Sequence, residues 1–406
     1  MKLKILIAPS GFKESLGADE VADCIKDGIL RVVRDAKIQT APLVDGGEGF
    51  AQALVRATGG TVHNVSVTGP VGQTVLSHFG FLGGGGKPTA VLEMAAAAGL
   101  RLVPSAKRNP LRTTTYGVGQ LIKAALDVGT ERILVGCGDS GTNDGGMGMA
   151  QALGVKFLDE NGKELGYGGE NLIHLRHIDI GKRDRRLSDV QIDVACNWHN
   201  VLCGPKGVAR IFGPQKGASA ETVEFLSDAL DNFADVVARD LGVDVRTIPG
   251  GGASGGLGAG LYAFLGAALH PRYDIVMQYL SIDELLADAD LVFTAEGSID
   301  FQTPMGKIPA EVARRAKQIR LDLPVIVLAG TIGKGAPVNY NHGIDAYASI
   351  VEAPCSLEAA IAHARELLSS SAERAMRFIV LGEKINASLR FNALPRQTRP
   401  ILLPTA

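Results

Sequence analysis

Four runs of the chain, Ile5–Ala8, Ile133–Gly136, Leu291–Thr294 and Val325–Gly330, are apolar at nearly every consecutive position. A strand that is apolar on both faces must be covered on both, and the usual cover is a helix on each side of a parallel sheet. Amphipathic stretches follow at the spacing of βα units: Ala18–Val33, Gly49–Ala57, Gly145–Leu153, Glu221–Leu241 and Lys307–Ile319. Further strands are expected at Ile38–Leu43 and Gln191–Cys196. The alternation predicts an α/β fold. At 406 residues the chain is longer than one hydrophobic core usually grows, so two domains are expected.

Two stretches break the alternation. Val62–Pro104 reads as short alternating runs interrupted by Gly83–Gly86, which predicts antiparallel hairpins in a layer of their own. Leu158–Asp189 is polar and weakly periodic, as a hairpin with a surface loop would be. After Lys384 the chain carries three prolines and no helical stripe, so residues 386–406 are expected to form an irregular tail over the surface or a neighbouring subunit.

A net charge of −2 without any basic block argues against nucleic acid or a membrane surface as the main partner. Any anionic ligand must then be held locally. The five cysteines are scattered and lack CxxC spacing, which suits reduced thiols and a cytoplasmic location. No apolar run is long enough to span a bilayer.

Glycine, 51 of 406 residues, concentrates in loops at predicted strand ends and helix starts. Gly250–Gly260 turns directly into an apolar helix, the arrangement that aims backbone N–H groups at phosphate, with close packing as the alternative. Pro9–Ser15 presents Lys13, suited to a phosphate or carboxylate or else a surface lysine. In Leu43–Gly49, Asp45 could hold Mg²⁺ or take a hydroxyl proton, and Glu48 could cap the following helix. Gly136–Gly146 is the densest run of glycine and polar groups, and Cys196–Gly217 is the most cationic of the glycine loops. His199 in the latter reads as a base or, more simply, a structural histidine. Glu296 and Asp300 leave a predicted strand end together, as metal-binding or acid–base carboxylates do. No P-loop, protein-kinase set or dinucleotide fingerprint is present.

In order, APSGFKESL, DGGEGF, TNDGGMGMAQALG, FGPQKGA, GGASGGLGAGL and AEGSIDFQTPMGK resemble the motifs of the bacterial-type glycerate kinase family, from about Met1 to Glu383. The resemblance implies phosphorylation of D-glycerate by ATP with Mg²⁺, most often to 2-phosphoglycerate. It further implies an outer Rossmann- or flavodoxin-like parallel-sheet domain, residues 1–65 plus 290–385, with a mixed α/β domain, 66–289, inserted in it. A homodimer is compatible with it. Other readings are a 3-phosphoglycerate-forming enzyme, a kinase for another short hydroxy acid, a nicotinamide-dependent oxidoreductase, or a sensor of phosphorylated sugar acids. The chain departs from the family pattern at Asn197, where an aspartate is common, at Ser298, where an arginine is common, and in its GDSGTND loop.

The candidate catalytic residues are Lys13, Asp45, Asp144, Glu296 and Asp300, with Asp45 and Glu296 as metal ligands. Candidates for binding substrate or nucleotide are Ser10, Gly46, Gly47, Glu48, Ser140, Asn143, Asn197, Lys216, Ser254, Gly255, Gly256, Gly258 and Lys307. Asp45, Asp144, Glu296 and Asp300 are expected around one cleft, because ligands of open α/β sheets collect at the carboxyl ends of strands.

Overall fold

A computed structural model describes residues 2–12 and 15–393. Its strands are β1 (Lys4–Ile7), β2 (Lys37–Thr40), β3 (Thr61–Thr68), β4 (Thr74–Phe81), β5 (Thr89–Glu93), β6 (Arg132–Gly136), β7 (Lys156–Leu158), β8 (His177–Asp179), β9 (Gln191–Cys196), β10 (Ala268–Pro271), β11 (Leu291–Ile299), β12 (Val325–Ile332) and β13 (Ala346–Ser349). The described residues divide into two compact units, one within Met1–Leu16, Glu20–Gln39 and Asp288–Ala406, the other Gly17–Asp19 with Thr40–Ala287.

The smaller unit carries a five-stranded sheet in the order β13-β12-β11-β1-β2, with β1, β11, β12 and β13 paired in parallel. Ile5, Ile7, Phe293 and Leu328 are fully buried against Val21, Ile25 and Ile29 of the Ala18–Leu30 helix and Leu368 and Met376 of the Ala364–Ala393 helix. That last helix corrects the expected tail. Residues 386–393 are helical, since NASLRFNA contains neither proline nor glycine and the first proline comes at Pro395. Residues 394–406 lie outside the described residues.

The larger unit carries a six-stranded sheet in the order β10-β9-β6-β5-β4-β3. β3 and β4 form the expected antiparallel hairpin, but β5 pairs with β4 on one side and in parallel with β6 on the other. The 62–104 stretch therefore supplies β3, β4 and β5 of the main sheet and is not a separate layer. The reason is visible in β5, which is buried at all five positions as a central strand must be. The Phe50–Thr58 helix buries Phe50, Leu54 and Val55 and packs on β3, β4 and β5. The chain from Thr40 onward thus belongs to this unit, earlier than the boundary near residue 65 suggested by the resemblance. β7 and β8 make the small hairpin expected between 158 and 189.

The longest helix of this unit, Ala220–Leu241, shows how local rules and packing agree. Ser219 Oγ accepts from Thr222 N at 3.2 Å, and Gly242 closes the other end at φ 72°. Between the caps Val223, Leu226, Leu230, Phe233 and Val237 form one buried stripe. Each large apolar side chain on it contributes roughly 1.5–3 kcal/mol of burial.

Candidate active site

In the larger unit the loops after parallel strands gather over the carboxyl ends of β5, β6 and β9. Asp45–Gly49 leads into the Phe50–Thr58 helix, a helix start whose free N–H groups would normally attract an anion. Here the protein supplies the anions itself. Asp45 Oδ1 accepts from Gly47 N at 3.3 Å, Asp139 Oδ2 from Glu48 N at 3.0 Å, and Glu93 from Gly49 N at 3.0 Å and Ala51 N at 2.8 Å. Glu93 ends β5 and Asp139 follows β6, so two neighbouring strands reach the same loop. The amides of Gly47 and Glu48 are thereby spent, and what the loop offers outward is side-chain carboxylate. Asp45 is about half exposed, with Arg272 Nη1 3.7 Å from its Oδ2, while Glu48 pairs with Arg101.

Glu93 is 1% exposed, and burial pushes its carboxyl up to about 7. The Ala51 and Gly49 amides oppose that rise, and the charges of Glu48 and Asp139 add to it. No motif singles out Glu93, and Asp139, though part of the Gly136–Gly146 run, is not among the candidate site residues. The available signal for Glu93 was a lone acid closing the apolar run TAVLE.

Asp144 is of a different kind. It is fully buried, its Oδ2 accepting from Thr115 N at 2.8 Å, Thr115 Oγ1 at 2.9 Å and Gly148 N at 3.3 Å, and its Oδ1 from Gly146 N at 3.2 Å. Burial raises its pKa against these bonds. Such a carboxylate organises its loop and has no face for substrate. Lys216, also buried, donates to Ser140 Oγ at 2.9 Å and Thr142 O at 2.6 Å. Burial pushes its ammonium down to about 7, with Asp144 opposing. This lysine fastens the 140–142 segment from within, and Ser140 is committed to it. Asn143, beside them, is likewise 0% exposed.

The glycine loop leading into the Ala253–Leu265 helix is closely packed. Gly250, Gly251, Gly252, Ala253 and Gly256 all donate their N–H to backbone carbonyls, those of Gly250 and Gly252 going to Trp198 and Asn200. Ser254, Gly255 and Gly256 have φ of 54°, 72° and 90° and are buried. A Cβ on Gly255 would strike the Thr142 carbonyl and lie 2.8 Å from Asn143 Cα, and one on Gly256 would lie 2.8 Å from Gly145 Cα. Gly258 is closed in similarly by the Gly250 carbonyl. These glycines let two loops touch backbone to backbone. Asn197 Oδ1 accepts from His199 N at 3.2 Å, a turn that carries the chain off β9 and leaves His199 exposed.

In the smaller unit, β11 runs to Ile299, so Glu296 lies within the strand, in register with Ala329, and not on the turn after it. Asp300 follows directly. Its Oδ1 accepts from Gln302 N at 2.8 Å, and Lys307 Nζ lies 3.3 Å from Oδ2 and 3.2 Å from the Ser298 carbonyl. Ser10 Oγ donates to Ala295 O at 2.9 Å, tying the end of β1 to β11. Lys13 lies outside the described residues. Among the described residues no group of three or more His, Cys, Asp or Glu could hold a metal ion by itself. Nor is any helix among them long and apolar enough to cross a membrane.

Parallel strands with carboxylates, cations and anchored glycine loops beyond their carboxyl ends make an α/β protein of the kind that binds ligands at strand ends. The comparisons make this specific. The profile of the glycerate kinase family matches residues 5–380. Over 370 residues the chain is 49% identical to the glycerate kinase of Bacillus subtilis (strain 168), covering 91% of this chain and 96% of that one. It is 45% identical over 380 residues to the glycerate 2-kinase of Escherichia coli (strain K12), covering 94% and 99%. A crystal structure named for glycerate kinase 2 of Salmonella typhimurium LT2 is similar at a TM-score of 0.84 and 46% identity, covering 95% of this chain and all of that one. The chain belongs to the glycerate kinase family and is an enzyme of the kinase class.

Proposed function

We propose that this enzyme transfers the γ-phosphoryl group of Mg·ATP to the 2-hydroxyl of D-glycerate in the cytoplasm. The observation that carries the reading is Asp45, a half-exposed carboxylate on a loop whose own amides are already bonded. Phosphoryl transfer needs positioning and charge neutralisation more than covalent protein chemistry. Mg²⁺ usually enters such sites on the nucleotide phosphates with one or two carboxylates, so a built cage is unnecessary. In this reading Asp45 accepts the acceptor hydroxyl proton or meets the metal, and Glu296 and Asp300 are further candidate carboxylates. Arg272 supplies a cation beside Asp45, while Asp144 and Lys216 hold the 140–148 loop that supports it. The 2-phospho product rests on the likeness to the glycerate 2-kinase of Escherichia coli.

Phosphorus and proton NMR of the product should show the phosphoryl group on C2. A signal on C3 would replace that assignment while leaving the kinase reading intact. No product from D-glycerate alongside turnover of another short hydroxy acid would move the substrate.

A further inference from the structure

Glu93 lies one step behind the loop assigned to chemistry. We infer that Glu93 is a positioning residue, setting the place of Asp45–Glu48 through the amides of Gly49 and Ala51. This rests on the reading of Asp45 given above.

The geometry is specific to a carboxylate. Both oxygens of Glu93 accept, one from Gly49 N at 3.0 Å and the other from Ala51 N at 2.8 Å. An amide in the same place accepts at one atom and turns an NH₂ toward the remaining N–H. Glu93 is also fixed at its base, since β5 pairs with β6 up to Glu93↔Gly136. It therefore ties the helix start that follows Asp45 to a buried strand of the sheet. Asp139 makes the companion contact to Glu48 N from the next strand. Asp45 accepts from Gly47 N of the same loop at 3.3 Å, so the seat of Gly49 and Ala51 bears on where its carboxylate stands.

The charged groups around Glu93 set the sign of its pH response. His78 Nε2 of β4 lies 3.9 Å from Oε1, and burial holds that imidazole below its usual pKa. Glu48, itself paired with Arg101, and Asp139 face it from the loop and from β6. With its pKa raised to about 7, Glu93 is ionised and accepts from both amides above that pH, and below it the added proton removes one acceptor. A limb of kcat rising from pH 6 to 8 is the expected trace.

The test compares wild type, Glu93→Gln and Asp45→Asn in steady-state kinetics with D-glycerate and Mg·ATP. Glu93→Gln should lower kcat about 10²-fold, the usual cost of a displacement near 1 Å, with KM for ATP changed less than about threefold. It should also abolish the pH 6 to 8 limb. In wild-type protein the amide signals of Gly49 and Ala51 should titrate together near pH 7, a readout that survives if the glutamine variant folds poorly. Wild-type kcat in Glu93→Gln, or amide signals that ignore pH, would overturn the inference. Full turnover in Asp45→Asn would instead sink the reading of the site on which it stands.

Discussion

Gly255→Val is expected to leave the larger unit largely unfolded at temperatures the parent tolerates. The position is fully buried at φ 72°, where a β-branched residue is strained by about 1–2 kcal/mol. The added Cβ would also strike the Thr142 carbonyl and press on Asn143 Cα, and since both obstacles are backbone they cannot rotate aside. Overpacking of this kind adds roughly 1–3 kcal/mol or more. A total near 4 kcal/mol is a large share of the ~5–15 kcal/mol that holds a domain together. Thermal unfolding should show a Tm at least about 8 °C below the parent. Gly86→Val is the control, because nothing lies within 4 Å of a Cβ there. Equal stability of both variants would return the loop to the phosphate-binding role that its composition first suggested.

Asp45→Asn and Asp144→Asn should separate chemistry from support. Asp45 is half exposed and its oxygens meet one loop amide and a distant guanidinium, so its amide variant should keep the parental Tm. As a general base, its loss should lower kcat by about 10²–10⁴-fold. If it serves the metal instead, raised Mg²⁺ or Mn²⁺ should restore part of that loss. Asp144→Asn should do the reverse. An NH₂ group would face Thr115 N and Gly148 N or Gly146 N inside a fully buried site, at a cost of about 1–3 kcal/mol for each donor left unmet. A destabilised but, where folded, active Asp144→Asn enzyme is the expected outcome.

The α/β class was legible because it depends on local pattern. ILIA, ILVG and LVFT are too apolar for any strand with a wet face, and they form β1, β6 and the start of β11. What the pattern could not convey was pairing at a distance. TAVLE reads like the hairpins before it, and only its parallel partner Arg132–Gly136 makes it central. The same limit applies to the loops. Asp45 and Asp144 both precede two glycines, yet Thr115, 29 residues upstream, closes one of them. Gly255 and Gly256 have the composition of a phosphate cradle and the contacts of a packing joint, and those contacts come from Thr142–Gly145. Lys216 looked like a cation for a ligand because burial is not written in a single residue.

ADP release, coupled to an optical signal and followed with D-glycerate and Mg²⁺ present together, singly and not at all, tests the central claim most directly. The account predicts turnover only when ATP, D-glycerate and a divalent ion are all supplied, falling by at least about 10²-fold in Asp45→Asn. ADP release that ignores D-glycerate and every other short hydroxy acid, or that persists unchanged without Asp45, would contradict it.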